Sequence, residues 1–202
     1  MSAPRVVCCD VGSVSRGNFA WCDDSGVAGD RPSSVAQHVA SLLNRGAAVA
    51  LGFECPLYVP LFADEMSLAC ARPGEGSRPW SAGAGCGALA TGIVQVTWVL
   101  GEVRRQLAEP VAAHLMWETF AEAGHGLVLW EAFVSGASKG ADHADDARLA
   151  ALAMLAALPD PQSANAIACT SPVYSLAGAA LLRTGWSFDL ALLGQPCLTI
   201  KV

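Results

Sequence analysis

The chain has 202 residues, 53% of them hydrophobic and 15% charged, which excludes a disordered segment and fits a single folded domain. Its net charge is −6, with 12 basic against 18 acidic residues, so the basic face with which a protein grips a long duplex is missing. Residues 1–5 lack the charged and apolar regions of a secretion signal, and a cytoplasmic location is expected.

Residues 5–10 form an apolar run with adjacent valines that ends in Asp10, with Gly12 just beyond, and an uninterrupted run of this kind suits a central strand covered on both faces. Gly17 precedes a second strand over 18–22, which pairs with the first as a hairpin, and Asp23, Asp24, Ser25 and Gly26 supply a strong turn. A weak third strand falls at 27–30. Ser33 or Ser34 caps a helix in which Val35, Val39, Leu42 and Leu43 recur at helical spacing, and Gly46 closes it. The run 47–53 is a strand that delivers Glu54 at its C-terminal end, before Pro56 and Pro60 stop regular structure. Hairpin, helix and strand in this order imply a right-handed crossover onto a mixed sheet.

Residues 57–88 are rich in Gly, Pro and Ser, and Trp80 with its apolar neighbours favours an ordered, functional loop there. Helical spacing resumes through Ile93, Val96, Leu100, Val103 and Leu107 and stops at Pro110. A further helical piece is predicted over 111–123, ended by Gly124 and Gly126, followed by a buried strand over 127–130 that delivers Glu131. The clearest helix covers 144–158, terminated by Pro159 and Pro161, and the remainder holds a helix over 173–182 and a hairpin-like end. Two uncharged stretches, 79–101 and 161–182, approach a membrane span in length. The glycines of the first and Pro172 of the second mark both as buried segments of a soluble fold, so no membrane is expected. One domain over 1–202 is expected, with an insertion at 57–88 and a C-terminal extension at 159–202. The eight cysteines include no Cys-x-x-Cys pair, and they read as reduced core thiols rather than as disulfides or zinc ligands.

Three apolar strands thus end in an acid: Asp10, Glu54 and Glu131. As neighbouring parallel strands they would present their carboxylates at one sheet edge, where ligands of open α/β sheets bind. A further set, Asp142, Asp145 and Asp146, opens the 144–158 helix, where residues three or four apart share a face. Asp142 can therefore point the same way as either Asp145 or Asp146, backed by Leu149, Leu152 and Ala153. Oxygen-rich clusters of this kind suit Mg²⁺ or Mn²⁺, and two such ions at ~3.5–4 Å serve phosphodiester hydrolysis. Each acid also has an ordinary structural role open to it, as a turn, a strand end or a helix-start charge. Arg72, Arg78 and Lys139 are the candidate cations for a phosphate, and His143 is a candidate proton shuttle.

Asp10, Gly12, Gly17 and the small apolar strand after them resemble the first hairpin of RNase H-like nucleases of the Holliday-junction resolvase type. The stretch from Ala141 to Ala147, with Asp142, Asp145 and Asp146 at the head of an Ala/Leu helix, resembles the closing helix of that superfamily. Glu54, Pro56, Leu57 and Pro60 are similar to the signature of an uncharacterised family of predicted nucleases with this fold. The resemblance covers about 6–158, and the order of the motifs is more specific than any one of them. It implies an α/β RNase H-like fold with a mixed central sheet, the first hairpin antiparallel and the later strands parallel, flanked by helices. It also implies a metal site of Asp10, Glu54, Asp142 and one of Asp145 and Asp146, with Glu131 an additional acid. The expected function is a metal-dependent nuclease or phosphoesterase acting on short or single-stranded nucleic acid or a small phosphorylated ligand. The alternative is a non-catalytic nucleotide- or metabolite-binding module on the same fold. An actin-like phosphotransferase needs two such domains, which 202 residues do not hold.

Overall fold

The computed structural model describes residues 3–76, 79–134 and 138–202. Arg5–Asp10 forms β1, and it pairs antiparallel with β2 (Ala20–Asp23), which in turn carries the two-residue β3 (Ala28–Gly29). α1 (Pro32–Asn44) then crosses over to β4 (Val49–Phe53), which lies parallel to β1 on its other side. The helix opens on Pro32, whose missing N–H costs nothing at that position. No serine caps it: the N-cap is Arg31, and the Ser34 hydroxyl instead accepts the Trp21 indole N–H at 2.8 Å.

β7 (Leu127–Phe133) lies parallel to β4 and extends the sheet. Its outer edge is shared by two short strands. β6 (Ala113–His114) pairs with its beginning, and β9 (Leu198–Lys201) with its end. The strand order is therefore β3-β2-β1-β4-β7-β6, with β9 beside β7. The sheet is mixed, with an antiparallel start and parallel strands thereafter.

Side chains on alternate positions of each strand face opposite ways, and both faces are covered. Val7, Cys9, Leu51, Phe53 and Leu129 belong to a core shared with α1, α2 (Gly83–Gln106) and α5 (Leu176–Arg183). Val6, Cys8, Ala50, Val128 and Trp130 belong to a second core with α3 (Trp117–Ala123) and α4 (His143–Ala157). Burial of each large apolar side chain contributes ~1.5–3 kcal/mol, which explains why β1 and β4 read as unbroken apolar runs. Gly52 lets one large ring fit: a Cβ there would stand 2.3 Å from the Trp130 indole.

Several elements differ from the sequence reading. α2 begins ten residues before Ile93, and it absorbs the end of the Gly/Pro-rich stretch. Within that stretch β5 (Tyr58–Pro60) pairs antiparallel with β8 (Val173–Ser175), so the predicted helix over 173–182 starts as a strand. The predicted helical piece 111–123 is β6 followed by α3, and the C-terminus joins the sheet parallel to β7 rather than as a hairpin. All eight cysteines are free, yet Cys70 and Cys86 are exposed rather than in the core. Among the described residues α2 is long and apolar enough to cross a membrane, with 22% of that window buried. Here its Val96, Val99, Leu100 and Val103 lie in the core shared with α1 and α5.

Candidate metal centre

The register of β1 against β4 pairs Cys9 with Phe53, so the next residue on each strand, Asp10 and Glu54, stand side by side. The Glu54 N–H donates to the Cys9 carbonyl at 2.8 Å and fixes that alignment. By strand alternation both acids belong to the Val6, Cys8 and Ala50 side, the face on which α4 packs. The turn after Asp10 is locked from α2: the Gln95 amide brackets Gly12, donating to its carbonyl at 2.5 Å and accepting from its N–H at 3.3 Å. Only glycine fits, because a Cβ at position 12 would fall 1.8 Å from the Asn18 carbonyl oxygen.

α4 supplies the third acid, and the cap at its start decides which one. Asp142 is the N-cap, its carboxylate accepting the Asp145 N–H at 2.9 Å, so it serves the helix end rather than the cluster. Asp145 turns outward, where Arg148 binds it at 2.6 Å and, with the Ala141 N–H, holds its carboxyl below the usual range. Asp146 turns inward and is 4% exposed, accepting from the Gly140 N–H at 2.6 Å and from Lys139 Nζ at 3.3 Å. Asp10, Glu54 and Asp146 then offer carboxylate oxygens that all lie within 4.8 Å of one another.

Three carboxylates this close repel by several kcal/mol per pair at an effective dielectric of ~20. Burial raises the pKa of Asp10, with the charge of Asp146 pushing the same way and His143 and Lys139 opposing both. Burial would lower the pKa of Lys139, but Glu54, Asp146 and Asp10 outweigh it and raise the value, so its ammonium stays charged. Nζ lies 4.0 Å from Glu54 and 3.3 Å from Asp146. One ammonium against three carboxylates leaves two negative charges in excess, the charge of one divalent cation. The donors are all hard oxygens, which suits ions of the Mg²⁺, Mn²⁺ and Ca²⁺ kind. His143 completes the site: Nδ1 sits 2.5 Å from Asp10 Oδ2, and the ring is 44% exposed.

Glu131 is not part of this group. It pairs with Phe53, one step before Glu54, and strand alternation therefore turns it to the opposite face of the sheet. There it accepts from the Leu57 N–H at 2.9 Å and forms a two-pronged pair with Arg72, at 2.6 and 2.9 Å. Arg72 also donates to Glu75 at 2.8 Å and to the Tyr58 carbonyl at 3.1 Å, and it is 1% exposed. Its fork is fully used in the interior, so it does not reach over the carboxylates as the sequence reading expected. Arg78 lies outside the described residues. Of the two expected cations among the described residues, Lys139 is the one at the acids. Trp80, read only as a sign of order in its loop, proves to line a cavity next to Glu54; its place there depends on contacts that no local pattern encodes.

Comparison with known protein families, with curated proteins and with solved structures finds no match to this chain.

Proposed function

We propose that this chain is a divalent-metal-dependent phosphoesterase of RNase H-like architecture, with Mg²⁺ or Mn²⁺ held by Asp10, Glu54 and Asp146. The observation that carries the reading is the convergence of these three carboxylates from two adjacent parallel strands and the facing helix. The antiparallel opening hairpin, the parallel strands after it and the acid-bearing helix across the edge support the fold assignment. The substrate is a nucleic acid or a smaller phosphorylated ligand, and the negative charge of the chain weighs against a long duplex. Eight cysteines with none bonded to another support a cytoplasmic setting.

Asp10, Glu54 and Asp146 would hold the metal, whose chemistry there would be polarisation of a phosphoryl oxygen and acidification of a water for attack. The chain does the rest. Gln95 and Gly12 hold the turn that orients Asp10. Lys139 offsets one charge of the Glu54 and Asp146 pair and lies where it can meet a phosphoryl oxygen. His143, its Nδ1 engaged by Asp10, keeps Nε2 for a proton of the attacking water or of the leaving oxygen. Asp10→Asn and Asp146→Asn should each lower Mn²⁺-dependent hydrolysis of a phosphodiester at least ~100-fold, a rise of ~2.7 kcal/mol or more in the barrier. Asp145→Asn, on the outward acid, should keep wild-type rates. Undiminished hydrolysis in both inward variants would remove the proposal.

Lys139 favours a second reading, a binding module without turnover, because its ammonium already offsets part of the acidic cluster. Calorimetry that detects a nucleotide but no divalent cation would select it.

A further inference from the structure

Beside the carboxylate group lies an open-sided cavity of ≈ 100 Å³, lined in part by Glu54 and Lys139. The two residues thus belong both to the cavity and to the acidic cluster. The remaining lining is largely apolar, including Trp80, Ala84, Gly85, Ala88, Phe133 and Val134. Glu75 and Glu131 also border the space, but their oxygens are taken by Arg72 and by the N–H groups of Trp80 and Leu57. An occupant therefore finds a largely apolar chamber with its charged contacts, Glu54 and Lys139, at the carboxylate end.

The Trp80 ring is set in place before any ligand arrives. Its indole N–H donates to the Cys70 carbonyl at 3.0 Å, and its backbone N–H to Glu75 at 3.2 Å. Glu75 is fixed by Arg72, and Arg72 by Glu131 on β7, so the loop carrying the indole is tied to the sheet. Ala84 and Ala88, one turn apart on α2, line the same cavity, and their small side chains take little of its space. A cavity of ≈ 100 Å³ is smaller than the ~300–1,000 Å³ that drug-sized ligands occupy, so its occupant is no larger than one planar ring, and a hydrogen-bonded indole beside a phosphate-directed centre suits a nucleobase.

We propose that this cavity takes one unpaired base of the strand whose phosphodiester lies at the carboxylates, with that base stacked on Trp80. The preferred substrate is then a single strand or a frayed end. A base inside a duplex would have to leave its stack and its partner to enter. The inference rests on the phosphoesterase reading for the cutting step, but base binding can be measured without it.

The test uses the full chain and a fluorescein-labelled single-stranded tetrathymidylate, with an abasic strand of equal length and the duplexed sequence as comparisons. Affinity is measured without metal, and hydrolysis with Mn²⁺. The abasic strand and the duplex should bind at least ~10-fold more weakly than the single strand. Trp80→Ala should weaken single-strand binding about 5- to 100-fold, the scale of one base stacked on an aromatic ring. Trp80→Phe should restore most of it. Ala84→Leu, at an exposed helix position where the thermal midpoint reports an intact fold, should block the cavity and weaken binding similarly. Wild-type affinity in both Trp80→Ala and Ala84→Leu, or equal binding of abasic and normal strands, overturns the proposal. A protein that binds the strand in a Trp80-dependent way but cuts nothing supports the cavity and sinks the phosphoesterase reading alone.

Discussion

Asp145 and Asp146 are neighbours with opposite fates, and Glu131, expected at a strand end like Glu54 but lying inside β7, faces the other way. In each case one residue of helical or strand phase decides whether an acid joins the cluster. The acids themselves were legible in the sequence, as was their approach to one edge. Which of them converge was not, because that depends on the Cys9–Phe53 register and on Asp142 acting as the cap. Nor could the sequence show that Arg72 is consumed between Glu75 and Glu131, since all three come from distant parts of the chain or from an irregular loop. That buried group makes a sharp prediction. Removing one member of a buried ion pair leaves a stranded charge and costs about 3–5 kcal/mol, out of a total stability of ~5–15 kcal/mol. Arg72→Met should therefore lower the stability from urea unfolding by that amount. Adding Glu75→Gln and Glu131→Gln should recover most of it, because the amides remove the stranded charges while their oxygens still accept from the Leu57, Arg72 and Trp80 backbone N–H groups. A single variant as stable as the wild type would refute the role given to Arg72.

Secondary-structure elements were readable where they were long or strongly patterned. β1, β4 and β7 stand out as apolar runs between turn residues, α1 by its periodicity and the Gly46 that closes it, and α4 by its periodicity and the prolines beyond its end. β5, β6 and β8 are two or three residues long, too short for alternation to show, and pairing partners alone define them. The far end of the opening hairpin shows how such pairing is secured. Asp23, at the end of β2, accepts from Arg5 of β1 at 2.7 Å, from the Ser25 and Val27 N–H groups at 2.9 Å, and faces His38 of α1 at 3.0 Å. Burial acts to raise its pKa, but the hydrogen bonds from Ser25, Val27 and His38 outweigh that and leave it below the ordinary 3.8. The unfolded chain then binds the proton more readily than the folded one. Asp23 thus contributes stability in full above pH ~3.8, and that contribution is lost as pH falls through the lower folded value. Asp23→Asn should lower the unfolding free energy at neutral pH and flatten the loss of stability below pH ~4. An acid-unfolding curve with the same steepness in both proteins would contradict this account.

For the whole molecule, the acidic cluster and the fold pull in opposite directions. Two well-packed cores on either side of one sheet hold Asp10, Glu54 and Asp146 together, although the three carboxylates repel and Lys139 offsets only one charge. Sites shaped for a ligand often lower the stability of the protein without it. Neutralising one acid should therefore stabilise the metal-free chain, and the same change should abolish its response to metal. With wild-type protein, Mn²⁺ at ~100 times its dissociation constant should add ~2.7 kcal/mol through binding to the folded state alone. The thermal midpoint should rise with Mn²⁺ concentration and fall back with a chelator. Asp10→Asn should start from a higher midpoint than the wild type and then show no rise with Mn²⁺. Two further outcomes would count against the cluster as a metal centre: a metal-free Asp10→Asn protein less stable than wild type, or an undiminished Mn²⁺ response in that variant. The first would mean that the bond from His143 to Asp10 outweighs the repulsion, and the second that the ion binds elsewhere.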